Sequence, residues 1–214
     1  MAALPGDLDR LLHDLRGPLN AVTVHLEILK LAGPGEPEAL ASVEALRQEI
    51  GRLASLLPAA FDVVALECGE AAPVDLAALV RSVVDEHGLG PVTVAPGPWP
   101  RVRGDARLLS LAVAHLIRNA LTATTAAGPG RQPPTVSARP AGEGQVALVV
   151  RDWGSGLRTT NARALIRLAI SPATGKATVG LVTTERIARL HRGTLEFRNP
   201  AEGGTEVTLL LPGA

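Results

Sequence analysis

A histidine followed at once by a carboxylate opens the run His13-Asp14-Leu15-Arg16-Gly17-Pro18-Leu19-Asn20, and the pair offers nucleophilic chemistry. An unperturbed imidazole titrates at about 6.5, so near neutrality one ring nitrogen carries a free lone pair. A carboxylate bonded to the opposite N–H fixes the tautomer and leaves the other nitrogen to attack. Successive helix residues do not face each other, so Asp14 must reach along its helix to do this. The plain alternative for His13 alone is a solvated polar residue on an amphipathic helix.

Two further places combine residue types that suit a bound nucleotide. In Asp152-Trp153-Gly154-Ser155-Gly156, directly after an apolar stretch, the acid can accept from an adenine amino group and the glycines let backbone come close. Ordinary post-strand turn chemistry uses the same residues. Asn119, with His115 one turn before it, sits inside a long helical pattern where asparagine is a poor helix former. Its carboxamide oxygen is a hard ligand suited to Mg²⁺, and a solvated helix face is the alternative.

Composition narrows the classes of function. Hydrophobic residues make up 46% of 214, yet there are two Trp, two Phe and no Tyr, so the core must be aliphatic. Few aromatics argue against stacking-based recognition of single strands, and a formal net charge of zero gives a polyanion no broad support, so no nucleic-acid partner is expected. The single cysteine, Cys68, excludes an internal disulfide and is too isolated for a metal cluster. No apolar run approaches the roughly 20 residues that span a bilayer, and no basic-then-apolar leader is present, so a cytoplasmic protein without a membrane segment is expected.

The elements that must position these residues follow from periodicity. Leu8, Leu12, Leu15, Leu19, Val22, Leu26 and Leu29 form a heptad seam that predicts a helix to about Ala32, with His13, Asn20 and Glu27 on its outward face. Pro18 removes the N–H that would reach the Asp14 carbonyl, and the helix is expected to bend or loosen there. Gly33-Pro34-Gly35-Glu36-Pro37 breaks the chain, and a second seam runs through Val43, Leu46, Ile50, Leu53, Leu57, Ala60 and Val64. One hairpin cannot cover both apolar stripes, so two copies should form a four-helix bundle; a plain dimerisation coiled coil is the alternative. Past Cys68–Pro73 the pattern predicts a helix over 74–87, a short strand over 91–95 and a helix over 106–123 capped by Asp105. Hairpins are predicted for 135–139 with 145–150 and for 194–198 with 206–211, flanking a helix over 182–191. Helices and antiparallel strands mixed without regular alternation indicate an α+β layer.

Taken in order, the His-Asp helix, the hairpin, the asparagine helix, the strand ending in Asp-x-Gly-x-Gly and the closing helix and hairpin resemble one family over nearly the whole chain. That family is the catalytic core of two-component sensor histidine kinases, a phosphotransfer hairpin followed by an ATPase domain of the gyrase–Hsp90–MutL type. The resemblance implies an α+β fold, with residues 1–68 as a hairpin forming a dimeric four-helix bundle and 73–214 as an α/β sandwich with a mixed sheet. It implies that His13 is phosphorylated from ATP, that Asp14 assists as base, and that Asn119 binds Mg²⁺. Asp152 would take the adenine, with Gly154, Gly156 and Gly180 alongside. Gly104-Asp105 and Gly193-Thr194-Leu195 also fit the family pattern.

Three positions depart from it. The second glycine box, commonly G-x-G-L-G-L, reads Lys176-Ala177-Thr178-Val179-Gly180-Leu181 and keeps only its last glycine, so side chains at 176 and 178 are expected to crowd the phosphates or, through Lys176, to neutralise them. No phenylalanine lies in the aliphatic stretch 164–170 before it, and Gly17 stands where the family often has a Thr or Asn that orients water for dephosphorylation. The expected activity is an ATP-dependent histidine kinase passing phosphate to a response-regulator aspartate, with the signal reaching it through a separate sensor protein or a docked partner. The alternatives are a phosphotransfer protein with a degenerate ATP domain and a non-enzymatic dimeric adaptor that docks a regulator.

Overall fold

The structure, a computed structural model, describes residues 6–32, 35–171 and 177–214, and within these no side chain of residues 6–11, 162 or 163. It divides into two compact units, one formed by residues 1–65 and 167–179 and the other by 66–166 and 180–214.

The first unit is built on α1 (Gly6–Leu31) and α2 (Pro37–Val64). A proline at the start of α2 and Glu38 in its first turn suit a helix N-terminus. The helix α1 continues through Pro18, and α2 also contains a proline, Pro58, that periodicity gives no reason to notice. The two seams divide by sevens. Leu15, Val22 and Leu29, with Leu46, Leu53 and Ala60, are buried or half-buried, whereas Leu12, Leu19, Leu26, Val43, Ile50, Leu57 and Val64 stay exposed. The side chain of Leu8 lies outside the described residues. A short antiparallel pair, β6 (Ala169–Ile170) and β7 (Ala177–Thr178), belongs to this unit and rests against α2.

Within the second unit, a mixed sheet has the order β2 (Thr93–Val94), β4 (Thr135–Pro140), β5 (Gln145–Arg151), β9 (Glu206–Pro212) and β8 (Thr194–Arg198). Only β2 with β4 is parallel. Against it pack α4 (Ala106–Ala126) and α6 (Gly180–Leu190), while α3 (Leu76–Glu86) packs on α4, and a one-turn helix α5 (Ala162–Leu165) lies between β5 and β6 in the chain. The core is aliphatic: Leu76 and Val80 of α3, Leu108, Val113 and Ile117 of α4, Ile187 of α6, and Val136, Leu148 and Leu209 of the sheet are fully buried.

The start of α3 differs in kind from the sequence reading. Residues 74 and 75 are not helical but end β1 (Ala72–Asp75), which pairs antiparallel with β3 (Arg101–Gly104), a strand that periodicity does not predict. The cause is local: Asp75 takes an extended conformation and its carboxylate accepts from the Ala78 amide, so it caps α3 from outside.

Candidate functional site

The strand β5 leads into Asp152, and the register of β5 with β9, Arg151 opposite Glu206, sets Thr205 across from it. Asp152 is buried, and its Oδ1 accepts two amides, Gly154 N at 2.8 Å and Thr205 N at 3.0 Å. Among the described residues nothing donates to Oδ2, which leaves one carboxylate oxygen to accept from a ligand. The Trp153 amide donates to Thr124 Oγ1 of α4 at 3.1 Å, tying the loop to that helix.

The glycines here are required by close packing. A Cβ on Gly154 would lie 3.0 Å from both the Cβ and the carbonyl of Ala123. Gly156 has φ 78°, and Leu157 beyond it is braced by Asn199, whose Oδ1 accepts the Leu157 amide at 3.0 Å and whose Nδ2 donates to the Leu157 carbonyl at 2.7 Å. A cavity of about 380 Å³ opens above this loop, lined by Asn119, Ala123, Asp152, Gly156, Leu181 and Val207 among others. Its walls are mostly aliphatic with Asp152 and Asn119 as polar groups, a pattern suited to a flat heterocycle with one amino edge. Asn119 is exposed, and among the described residues no hydrogen bond ties down its carboxamide. A hard oxygen so placed fits one position of a Mg²⁺ whose other ligands are phosphate and water.

Gly180 begins α6, and a Cβ there would come 3.3 Å from His115 Nδ1. Burial, together with the nearby Arg118 cation, lowers the His115 pKa from its ordinary value, which favours the neutral imidazole. The asparagine helix is fixed from its start. Asp105 Oδ1 accepts the Arg107 amide at 2.9 Å and the Leu108 amide at 3.2 Å, while Oδ2 accepts Gly69 N at 2.9 Å. The Asp105 amide in turn donates to His191 Nε2 at 2.9 Å, and His191 Nδ1 donates to the Ile187 carbonyl at 2.8 Å. Each histidine bond admits one direction only, so His191 holds a single tautomer. A Cβ on Gly104 would fall 2.6 Å from the His191 ring, and one on Gly193 would run into the Leu210 carbonyl, which accounts for both glycines.

In the helical unit, His13 projects from α1 with 82% of its side chain exposed, while Asp14 beside it keeps only 19%. His13 Nδ1 and Asp14 Oδ1 are 3.8 Å apart, and Asp14 Oδ2 accepts the Leu168 amide at 2.9 Å. A cleft of about 540 Å³ is lined by His13, Asp14, Arg16, Gly17, Glu49 and Arg52 among others. Lys176 lies outside the described residues; Thr178 is exposed, and its hydroxyl donates to the Ala169 carbonyl at 3.1 Å.

Asn119, Asp152 and Gly156 thus line one cavity, with Gly154 beneath them against α4 and Gly180 heading α6, whereas His13 and Asp14 belong to the other unit. Thr124, Asn199, Gly204 and Thr205 escape a reading by spacing. Gly204 has φ 75°, and a Cβ on it would strike the Asp152 carbonyl. Aligning β5 with β9 residue by residue is the one signal that brings Thr205 to Asp152. Among the described residues no cluster of His, Cys, Asp and Glu could hold a metal by itself, and no helix is long and apolar enough to cross a membrane.

Comparison with known proteins agrees with this geometry. The profile of the family described as histidine kinase-, DNA gyrase B- and HSP90-like ATPase matches residues 104–214. Sensor-like histidine kinase SenX3 of Mycolicibacterium smegmatis is 28% identical over 94% of this chain and 55% of its own length. Signal transduction histidine-protein kinase AfsQ2 of Streptomyces coelicolor is 29% identical over 94% of this chain and 40% of its own. The chain therefore spans about half the length of such relatives. Among solved structures, full-length ShkA in complex with AMPPNP shares the fold with a TM-score of 0.58 at 23% identity, over 99% of this chain and 46% of that one. The ATP-binding domain of PrrB from Mycobacterium tuberculosis aligns with a TM-score of 0.53 at 26% identity, over 68% of this chain and 99% of that one. With a family match over more than half of its residues, the chain belongs to the histidine kinase-, DNA gyrase B- and HSP90-like ATPases.

Proposed function

We propose that this chain is the core of an ATP-dependent protein histidine kinase that is phosphorylated on His13 and passes the phosphoryl group to an aspartate of a response-regulator receiver domain. Residues 1–68 serve as the dimerisation and phosphotransfer hairpin, and residues 73–214 as the ATP-binding domain, in the cytoplasm. The observation that carries the reading is one chain holding both ends of such a reaction. One unit presents an exposed His13 with a carboxylate beside it, and the other a buried Asp152 with one oxygen left toward an aliphatic cavity.

In this reading Asp152 Oδ2 accepts from the adenine amino group, and the aliphatic walls take the ring. The Asn119 carboxamide holds Mg²⁺, which neutralises charge on the phosphates when bound. His13 Nε2 attacks the γ-phosphorus in line. An N–P bond forms as the bond to the β–γ bridging oxygen breaks, and the electron pair leaves with ADP. The Nδ1 proton faces Asp14 Oδ1 throughout. Catalysis of this kind rests on positioning and electrostatics rather than on elaborate side-chain chemistry.

Incubation of the purified chain with γ-labelled ATP and Mg²⁺ tests the reading. The label should be stable in base and lost in mild acid, as a phosphoramidate is, and His13→Ala should abolish it. Undiminished labelling of that variant would move the phosphate elsewhere. The eroded second glycine box favours one other reading, a phosphotransfer protein that takes phosphate only from an already phosphorylated regulator. Labelling by phospho-regulator without labelling by ATP would establish it.

A further inference from the structure

The carboxylate beside His13 is held by a part of the chain remote from it in sequence. Asp14 Oδ2 accepts the Leu168 amide at 2.9 Å, across 154 residues of sequence, while Oδ1 is the oxygen 3.8 Å from His13 Nδ1. Among the described residues no other hydrogen bond restrains the Asp14 side chain. An aspartate on a helix surface otherwise moves among several rotamers, and adjacent helix residues do not face each other. Something must therefore hold this carboxylate for it to meet its neighbour.

From this geometry we infer that the Leu168 backbone amide is a positioning group for His13. By fixing one oxygen of Asp14 it holds the other 3.8 Å from Nδ1, beyond hydrogen-bond distance but near enough for its charge to favour the proton on that nitrogen. The inference rests on the kinase reading only in giving that nitrogen a use.

The surroundings make the amide a firm anchor. Leu168 is 5% exposed. The residues after it form β6, whose partner β7 returns with Ala169 opposite Thr178 and Ile170 opposite Ala177. The Thr178 hydroxyl adds a bond to the Ala169 carbonyl. Against this pair stands a cleft lined by Gln48, Gly51, Arg52 and Ser55 of α2 and by residues 167–170, and Arg52 also lines the cleft that holds His13. The anchor touches the acid and leaves the nucleophile open, since His13 is 82% exposed. A proton held on Nδ1 leaves the Nε2 lone pair outward, toward an incoming phosphorus. Docking of residues 167–170 on the hairpin thereby readies His13 before any phosphate arrives.

The experiment uses the full chain labelled with ¹⁵N-histidine and free of nucleotide, with the His13 resonances identified by comparison with His13→Ala. Native protein should carry the His13 proton on Nδ1. Leu168→Pro, which removes the donor, should shift the population severalfold toward Nε2, whereas Leu168→Ala, which keeps the amide, should match native. An unchanged His13 pattern in a folded Leu168→Pro variant overturns the inference. Should that variant fail to fold, hydrogen exchange decides: Asp14→Ala should speed exchange of the Leu168 amide by about tenfold, the worth of one such bond, and unchanged protection overturns the inference. With ATP, Leu168→Pro should lower the phosphorylation rate about tenfold at unchanged KM, the sign of an interaction used in the transition state. If the native chain takes no label from ATP, the kinase reading fails, while the tautomer and exchange measurements still decide the positioning role.

Discussion

At the scale of single residues, Asp152 concentrates the nucleotide reading. Its Oδ1 is spent on two amides that fold the loop, so only Oδ2 remains for recognition. Asp152→Ala removes both the acceptor and the loop clamp, and the loss of a buried partner costs about 1–3 kcal/mol. Calorimetry with ATP–Mg²⁺ should therefore read affinity about five- to 150-fold weaker in Asp152→Ala than in native protein. No heat from native protein at millimolar nucleotide would count against ATP use. Gly17 makes the opposite case, a position with room to gain a function. A Cβ there meets no neighbouring residue within 4 Å and its backbone is not left-handed, so the surroundings leave room for the side chain of Gly17→Thr. A hydroxyl that orients water at a reacting centre can be worth a few kcal/mol. Gly17→Thr should raise dephosphorylation of the regulator about tenfold over a weak native rate, and an unchanged rate would mean that another residue places that water. Asp152 could be picked out because its chemistry lies in its own side chain and in the glycines beside it. Thr205 could not, because it acts through a backbone amide that only strand pairing brings across.

At the scale of elements, the helix carrying Asn119 depends on the residue that caps it, Asp105. Burial alone would lift the Asp105 carboxyl. The amides of Gly69, Leu108 and Arg107, with the Arg107 guanidinium, outweigh it and hold the pKa below the ordinary value. A carboxylate with a depressed folded pKa gives stability that is present above its unfolded value of about 3.9 and is lost as pH falls through the folded one. Asp105→Ala should cost the α/β unit about 1–2 kcal/mol, the usual worth of an N-cap. Thermal melts should show that loss near neutrality and a smaller difference between variant and native as pH drops below about 3.9. Equal melting at pH 7 would show that His191 and the packing around Gly104 hold the helix start without the cap. Periodicity marks α4 clearly, since its apolar face repeats over many turns and Asp105 announces its start. It misses β1 and β3 because strands of four residues have too little alternation to read, and because β3 follows the proline-rich stretch Pro96–Pro100. The pair β6 and β7, two residues each, carries no sequence signal at all, although the residue just before β6, Leu168, is the one that reaches Asp14.

At the scale of the whole molecule, the heptad seams carry information that a single hairpin cannot use. Every second seam position is turned inward: Leu15 is 8% exposed, while Leu19, four residues on, is 53% exposed. Ile50 on α2 stands at 56%, and Leu12, Leu26, Val43, Leu57 and Val64 repeat the same outward set. Apolar stripes of this length on both helices of one hairpin need a cover, and a second copy offers a complementary set with the same spacing. The sequence made this legible because the seam is regular. Which half of it faces inward follows only from how α1 and α2 pack. Burying one Leu or Ile side chain is worth about 1.5–3 kcal/mol, and two copies would bury each position twice. Leu19→Asp combined with Ile50→Asp places charges on that stripe and should weaken self-association by at least about a thousandfold. Light scattering at micromolar concentration should then read a dimer for native protein and a monomer for the double variant. Nucleotide binding by the α/β unit should survive, because none of its cavity residues lies on the seam. A native chain that scatters as a monomer would remove the second copy from the proposed function and leave the outward stripe to another partner.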